Sequence, residues 1–367
     1  MTREEVLNIH IDDVSEDLYY EIKRVIDNFP KPLEGLGKFE DAICRIACAK
    51  NSDNPDISKK ALVIMCADNG IIEEGVTEMG GYMTGLIAKK IAMGEAIVSG
   101  MADVANVDVI PVDIGINGDV SCDGLINKKI AKGTKNFIKD PAMTEGEVLA
   151  AIETGIDLVK ELKDKGYGII CTGDLGIGNT TTAVSVICAI LAGDPVALTG
   201  RGAGLSNALY KNKIDVIFDG LHKYGYDKDD FGYSEISILD ENEITHYESG
   251  RIIDMVTNLG GLDIAGLIGL YIGGAKYHIP VVVDGIISAA AALAADGIVP
   301  GCRQYMVGSH FGKEPATEIV FTELALDTFI AADMSMGEGI GAVMLMPMLD
   351  MVMKTFASLR EEAMEEE

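Results

Sequence analysis

The sequence predicts an α/β fold: an open, mostly parallel sheet with flanking helices and an N-terminal helical annex. Two patterns carry this reading. Short apolar runs at 61–67, 107–114, 167–172 and 279–283 show no polar alternation, which marks strands buried on both faces. Longer segments between them carry helical periodicity and can supply the crossovers that parallel strands require.

In residues 1–50, Val14, Leu18, Ile22, Val25 and Ile26 mark one helix and 36–49 a second, separated by Phe29-Pro30-Lys31-Pro32. Ahead of the third strand, Thr144 and Glu147 form a capping box before Val148, Ile152, Ile156, Val159 and Leu162. Residues 223–250, rich in Tyr, Asp and Glu, are expected to make an exposed excursion with short elements. The window 279–300 contains Asp284 and Asp296 and is cut by Gly285 and Gly297, so it reads as a buried strand and an Ala-rich helix rather than a membrane span. Seven Met between Met334 and Met353 read as core packing.

Composition excludes several classes. The chain has 367 residues, 48% of them hydrophobic, with 42 Gly and 30 Lys+Arg against 58 Asp+Glu, a net charge of −28. That apolar content excludes a disordered chain, and the charge opposes nucleic acid and anionic membrane surfaces as partners. Seven Cys, an odd number scattered through apolar stretches, suit a reducing, cytoplasmic setting. The first residues lack a signal pattern, so no export is expected.

In an open parallel sheet, ligands bind where strands end and helices begin. The stretch 172–182 offers Gly173, Gly176 and Gly178 for close backbone approach, and Asn179 or Thr180 to cap a helix whose exposed amides favour phosphate. Its spacing matches neither G-x-x-x-x-G-K-[ST] nor G-x-G-x-x-G. A second stretch, 199–205, holds Arg201, Gly202 and Gly204 ahead of Lys211 and Lys213. A cation beside a Gly-rich turn suits phosphate, and a turn with solvated cations is the alternative. Asp263 follows Gly260-Gly261, and Ser288 follows Val283-Asp284-Gly285. In Gly337-Glu338-Gly339 a carboxylate stands among apolar Met334, Met336 and Met344, where poor solvation raises its pKa and makes a base. By spacing alone, a turn with Glu338 facing water is the slightly better reading. The five His and the Cys lack metal-ligand spacing, with Cys44 and Cys48 read as buried thiols, and no G-x-S-x-G occurs. No metal or cofactor is expected, which leaves positioning, charge stabilisation and one base.

The motifs GLGKFE (35–40), ADNG (67–70), GDLGIGNTT (173–181), GRGAGL (200–205), GGLDIA (260–265), PVVVDG (280–285) and GEGIGA (337–342) occur in an order that resembles nicotinate-nucleotide:dimethylbenzimidazole phosphoribosyltransferases. The resemblance covers roughly residues 30–350 and implies a large Rossmann-like domain over 56–344, a small helical domain formed by the chain ends, 1–55 and 345–367, and a homodimer with nicotinate mononucleotide and an aromatic base as its small-molecule partners. It implies that Glu338 takes the proton of the attacking base and that Asp174 is also catalytic. Gly176, Gly178, Asn179, Thr180, Thr181, Arg201, Gly202, Gly204 and Lys213 would hold the phosphate, with Asp263 and Ser288 lining the nucleotide side. Thr77, Tyr82, Met336 and Gly337 would line the base pocket, and the Met side chains around Glu338 suit a flat aromatic base. Departures are Asp174 where Glu is common, Asn69 where His is usual, and 76–84 without a Pro-Gln pair. They leave benzimidazole, purine and phenol acceptors open. They also motivate one alternative, a non-catalytic nucleotide-binding subunit, and a nicotinate-nucleotide hydrolase is a further one.

Overall fold

A computed structural model of the chain describes residues 1–202, 204–226 and 241–365. The strands β1 (Lys60–Ala67), β2 (Val107–Gly115), β3 (Ile126–Asn127), β4 (Ile169–Leu175), β5 (Val281–Val283) and β6 (Met306–Gly308) form one sheet in the order β3-β2-β1-β4-β5-β6. Every pairing is parallel. The four apolar runs all become central strands. From β1 the chain steps outward to β2 and β3, then returns to β4 on the other side of β1. The order reverses between β1 and β4, and that reversal opens a crevice at their carboxyl ends. β4 runs on past the predicted end: Gly173 pairs with Ile64 and Asp174 with Met65, so both belong to the strand and not to the loop after it. A separate two-stranded parallel sheet joins β7 (His310–Gly312) to β8 (Ile330–Met334).

Helices cover both faces. On one lie α1 (Arg3–Leu7), α6 (Glu145–Asp164), α7 (Asn179–Leu191), α8 (Pro195–Leu198), α9 (Asn207–Lys223), α10 (Glu241–Leu259), α11 (Leu262–Lys276) and α12 (Ile286–Ile298). The other carries α2 (Glu16–Asp27), α3 (Lys38–Ala49), α4 (Tyr82–Ala92), α5 (Ile97–Val104) and α14 (Ile340–Glu365), and α13 (Pro315–Glu323) links β7 to β8. The capping box of α6 forms as read: Thr144 Oγ1 accepts from Glu147 N–H at 3.3 Å and Glu147 Oε2 accepts from Thr144 N–H at 2.7 Å.

Three helices rather than two occupy the first residues, and they divide between the layers. α2 and α3 pack with α14, where the Phe29 and Phe356 rings lie 6.2 Å apart. α1 instead docks on α10, with Arg3 Nη1 2.7 Å from Asp254 Oδ1. Of the expected excursion at 223–250, residues 227–240 lie outside the described residues, whereas 241–250 are helical. α10 gains its helix from tertiary packing of Ile253 and Val256, so the sequence before them needs little periodicity of its own. The window 279–300 is a buried strand and helix as read. The Met-rich stretch divides: Met346 and Met353 enter the core with Leu345, Leu349 and Phe356, while Met336 and Met351 are exposed. By length and composition Ile340–Glu361 could cross a membrane, but about half of it is buried inside the fold.

Glycine sets how closely these layers approach. On α11, a Cβ at Gly269 would overlap Ile152 O of α6, and one at Gly155 of α6 would overlap Gly266 O of α11. Gly269→Ala is therefore expected to cost about 1–3 kcal/mol by forcing the helices apart. Urea unfolding checks this, and an unchanged midpoint would contradict the backbone contact.

Candidate active site

The turn after β8 places Glu338. Gly337, Glu338 and Gly339 have φ of 74°, 60° and 83°, three successive left-handed residues, which costs about 1–2 kcal/mol at the one that is not Gly. The turn persists because Asp284, at the end of β5, accepts the Ala342 N–H at 2.9 Å and is further hydrogen-bonded by the amides of Gly339, Gly341 and Gly285. His310 packs against Gly341, where any Cβ would overlap its ring. Burial lowers His310 to about 4, so the ring is neutral at pH 7. The Glu338 side chain is 9% exposed and its Oε2 has no hydrogen-bond partner. Burial raises its pKa, as expected of a base and contrary to the solvated-turn reading.

Beneath this turn lies β4. A Cβ on Gly173 would sit 2.8 Å from Glu338 O, so only Gly lets the turn rest on the strand. Next to it, Asp174 is buried, with Oδ1 unpartnered and Oδ2 accepting from Asn179 Nδ2 at 2.9 Å. The same amide donates to Asp263 Oδ2 at 3.1 Å. Burial raises Asp174 to about 7, with Asp284 adding repulsion, and burial with repulsion from Asp174 raises Asp263 to about 7. Gly176 closes the group, since a Cβ there would lie 2.8 Å from Asp263 Oδ2 and 2.9 Å from Asn69 Nδ2. Asn69 is buried with both side-chain polar atoms unpartnered. Gly337 is adjacent too, with its Cβ position 3.6 Å from Asp174 Oδ2.

α7 connects this carboxyl group to a second polar group. Gly178 caps it at φ 90°, Asn179 faces Asp174, and Thr180 Oγ1 accepts from Lys213 Nζ at 2.9 Å. Lys213 is fully buried and also donates to Gly200 O at 3.3 Å. Burial lowers its pKa to about 8. Gly202 belongs here as well, its Cβ position lying 3.2 Å from Thr180 Oγ1, and Thr181 Oγ1 is buried without a partner.

Other expected residues stand apart. Arg201 points along its own loop, donating to Leu205 O at 2.8 Å and Asn207 Oδ1 at 2.7 Å, with its guanidinium over the Tyr210 ring. It braces the turn that contains Gly204. Ser288 is buried under the sheet edge, where its Oγ lies 3.1 Å from Thr172 Oγ1, which in turn lies 3.0 Å from Tyr271 Oη. Tyr82 is 77% exposed at the start of α4, Met336 is 49% exposed, and Thr77 is half-buried, so these three lie towards the surface. Asp284, His310 and Glu314 were not singled out as site residues by sequence reasoning. The Val-Asp-Gly after an apolar run was the available signal for Asp284.

The buried carboxyls fix a pH dependence. Asp174, Asp263 and Asp284 hold a proton to about 7 in the folded chain, against an ordinary value of 3.8. Between those values the folded state binds more protons than the unfolded one, so stability is fullest at the acidic end and falls as pH rises towards 7. The urea midpoint is expected to be higher at pH 5 than at pH 8, and Asp174→Asn to raise it at pH 8 and flatten the slope. A wild-type midpoint that climbs from pH 5 to 8 would contradict this.

Known proteins match this chain along nearly its whole length. A model of the phosphoribosyltransferase family matches residues 11–364. The nicotinate-nucleotide--dimethylbenzimidazole phosphoribosyltransferase of Ruminiclostridium cellulolyticum is 36% identical over 350 residues, 95% of this chain and 93% of that protein. The protein of the same name from Clostridium acetobutylicum is 35% identical over 350 residues, with the same shares covered, 95% and 93%. The crystal structure of CobT from Thermus thermophilus superposes with a TM-score of 0.82 at 27% identity, covering 93% of this chain and 96% of that one. A Gly-flanked buried glutamate, a Gly-rich strand end and a buried lysine thus sit within a match of this extent, and the chain belongs to the nicotinate-nucleotide:dimethylbenzimidazole phosphoribosyltransferase family.

Proposed function

We propose that this chain transfers the phosphoribosyl group of nicotinate mononucleotide to a lower-ligand base such as 5,6-dimethylbenzimidazole, giving α-ribazole phosphate and nicotinate for cobamide synthesis. The observation that carries this is the unpartnered, buried Oε2 of Glu338, held by an imposed backbone turn beside Asp174. The pyridinium leaving group takes the electrons of the C1′–N bond and departs as neutral-ring nicotinate. A ring nitrogen of the base attacks C1′ from the opposite face and inverts it. The proton on the other ring nitrogen passes to Glu338, whose raised pKa suits it to accept. Asp174, once ionised, stabilises positive charge developing on the ribosyl centre through its free Oδ1. The Lys213–Thr180 group and the Gly200–Gly202 turn receive the 5′-phosphate. Retention of Glu338 in its turn favours transfer over a non-catalytic nucleotide-binding role.

Two further expectations belong to the same proposal. A homodimer is supported by exposed apolar side chains on neighbouring elements of one face, among them Ile97 and Val104 of α5 beside Met344 of α14 around an open cleft of about 420 Å³. A cytoplasmic location is supported by seven cysteines that are all free thiols.

Glu338→Gln is expected to slow nicotinate release in the presence of 5,6-dimethylbenzimidazole by about 100- to 10,000-fold. Full activity in that variant would sink the assignment of the base, and a panel of benzimidazole, adenine and cresol would show which acceptor is used. Light scattering on the purified protein is expected to give twice the chain mass of 39.1 kDa, and a single-chain mass would remove the dimer.

A further inference from the structure

A carboxylate of the chain itself already occupies the turn assigned to the phosphate. Glu314 stands at the start of α13, 7% exposed, and its Oε1 accepts the Gly202 N–H at 2.7 Å. Its other oxygen, Oε2, is buried without a partner. Gly200 lies so close that any Cβ there would overlap this carboxylate. Lys213 is within electrostatic reach, since Glu314 opposes the loss of its charge.

The surroundings hold more bonding capacity than the protein uses. Thr181 of α7, Thr199 after α8 and Thr317 of α13 are buried, and each hydroxyl lacks a partner. These three elements pack on one another. Buried polar groups in folded proteins are nearly always partnered, so several orphans on the elements that carry Thr180, the Gly200 turn and Glu314 mark a place built for a polar ligand. A carboxylate offers two oxygens to such a place. A phosphate offers three on its terminal face, all strong acceptors, and satisfies more of the donors.

We propose that Glu314 is a stand-in anion: it holds the Gly202 amide while the site is empty, and the substrate's phosphate takes that amide by turning Glu314 out. The identity of that substrate rests on the function proposed above. The exchange explains how a chain of net charge −28 keeps a buried lysine compensated before an anion arrives. It also gives selectivity, because a carboxylate ligand would replace Glu314 with an equivalent group and gain nothing, whereas a phosphate gains bonds.

The test compares wild type with Glu314→Gln, whose amide oxygen can still accept from Gly202 but carries no charge and competes less. Calorimetry with inorganic phosphate is expected to show binding about tenfold tighter in the variant. The KM for nicotinate mononucleotide is expected to fall by a similar factor. Unchanged or weaker phosphate binding in a folded variant would overturn the proposal. So would a loss confined to kcat with KM unmoved. A wild-type crystal soaked in inorganic phosphate needs no variant: a phosphate oxygen on the Gly202 amide with Glu314 turned away supports the exchange, and Glu314 still on that amide beside bound phosphate refutes it. Because the phosphate arms need no turnover, they judge Glu314 even if the wild type fails to use nicotinate mononucleotide.

Discussion

The site depends on one contact, the Gly337–Glu338–Gly339 turn lying on Gly173 of β4, with no space between them for a Cβ. That contact brings a segment from the far end of the chain over the crevice where strand order reverses. Three left-handed residues in succession would not hold such a turn in isolation. Asp284 holds it by collecting amides from the turn and the first residues of α14, its carboxyl oxygens accepting where a helix start presents free N–H groups. Glu338 Oε2 thereby loses water without gaining a partner, which is the condition a base needs to keep a raised pKa.

The first turn of α7 divides the labour beside it. Asn179 bonds two carboxyls, Asp174 and Asp263, that repel one another, and Thr180 bonds the buried Lys213. One helix start therefore joins a region that is acidic and short of positive charge to a region built around a cation. A substrate with a cationic ring-linked ribose at one end and a phosphate at the other matches that polarity. Net charge across the surface works against an anionic ligand, so the attraction has to be local, through loop amides, hydroxyls and one buried ammonium.

Much of this was legible in the sequence because it rests on short-range chemistry. The central strands were found from unbroken apolar runs, since a strand covered on both faces tolerates no alternation, and α6 from its capping box. Gly-rich strand ends pointed to the crevice. What escaped depends on contacts between distant segments. β6, β7 and β8 are too short to carry a period, and β4 extends to Leu175 because its last residues pair with β1 while Asp174 finds Asn179 inside the fold. Gly-Glu-Gly alone cannot say whether its carboxylate is wet, because Asp284 and Gly173 decide that. Lys313-Glu314-Pro315 reads as an ordinary helix start, and nothing local places that glutamate on the Gly200–Gly202 turn. Arg201 illustrates the reverse case: a cation beside a Gly-rich loop that braces the loop itself.

The most direct measurement of the central claim is a crystal structure of the protein with the α-ribosyl nucleotide of 5,6-dimethylbenzimidazole. The account predicts the free ring nitrogen within about 2.6–3.2 Å of Glu338 Oε2, with the turn still seated on Gly173. A ring nitrogen facing solvent, or bound by another side chain while Glu338 stays unpartnered, would contradict it.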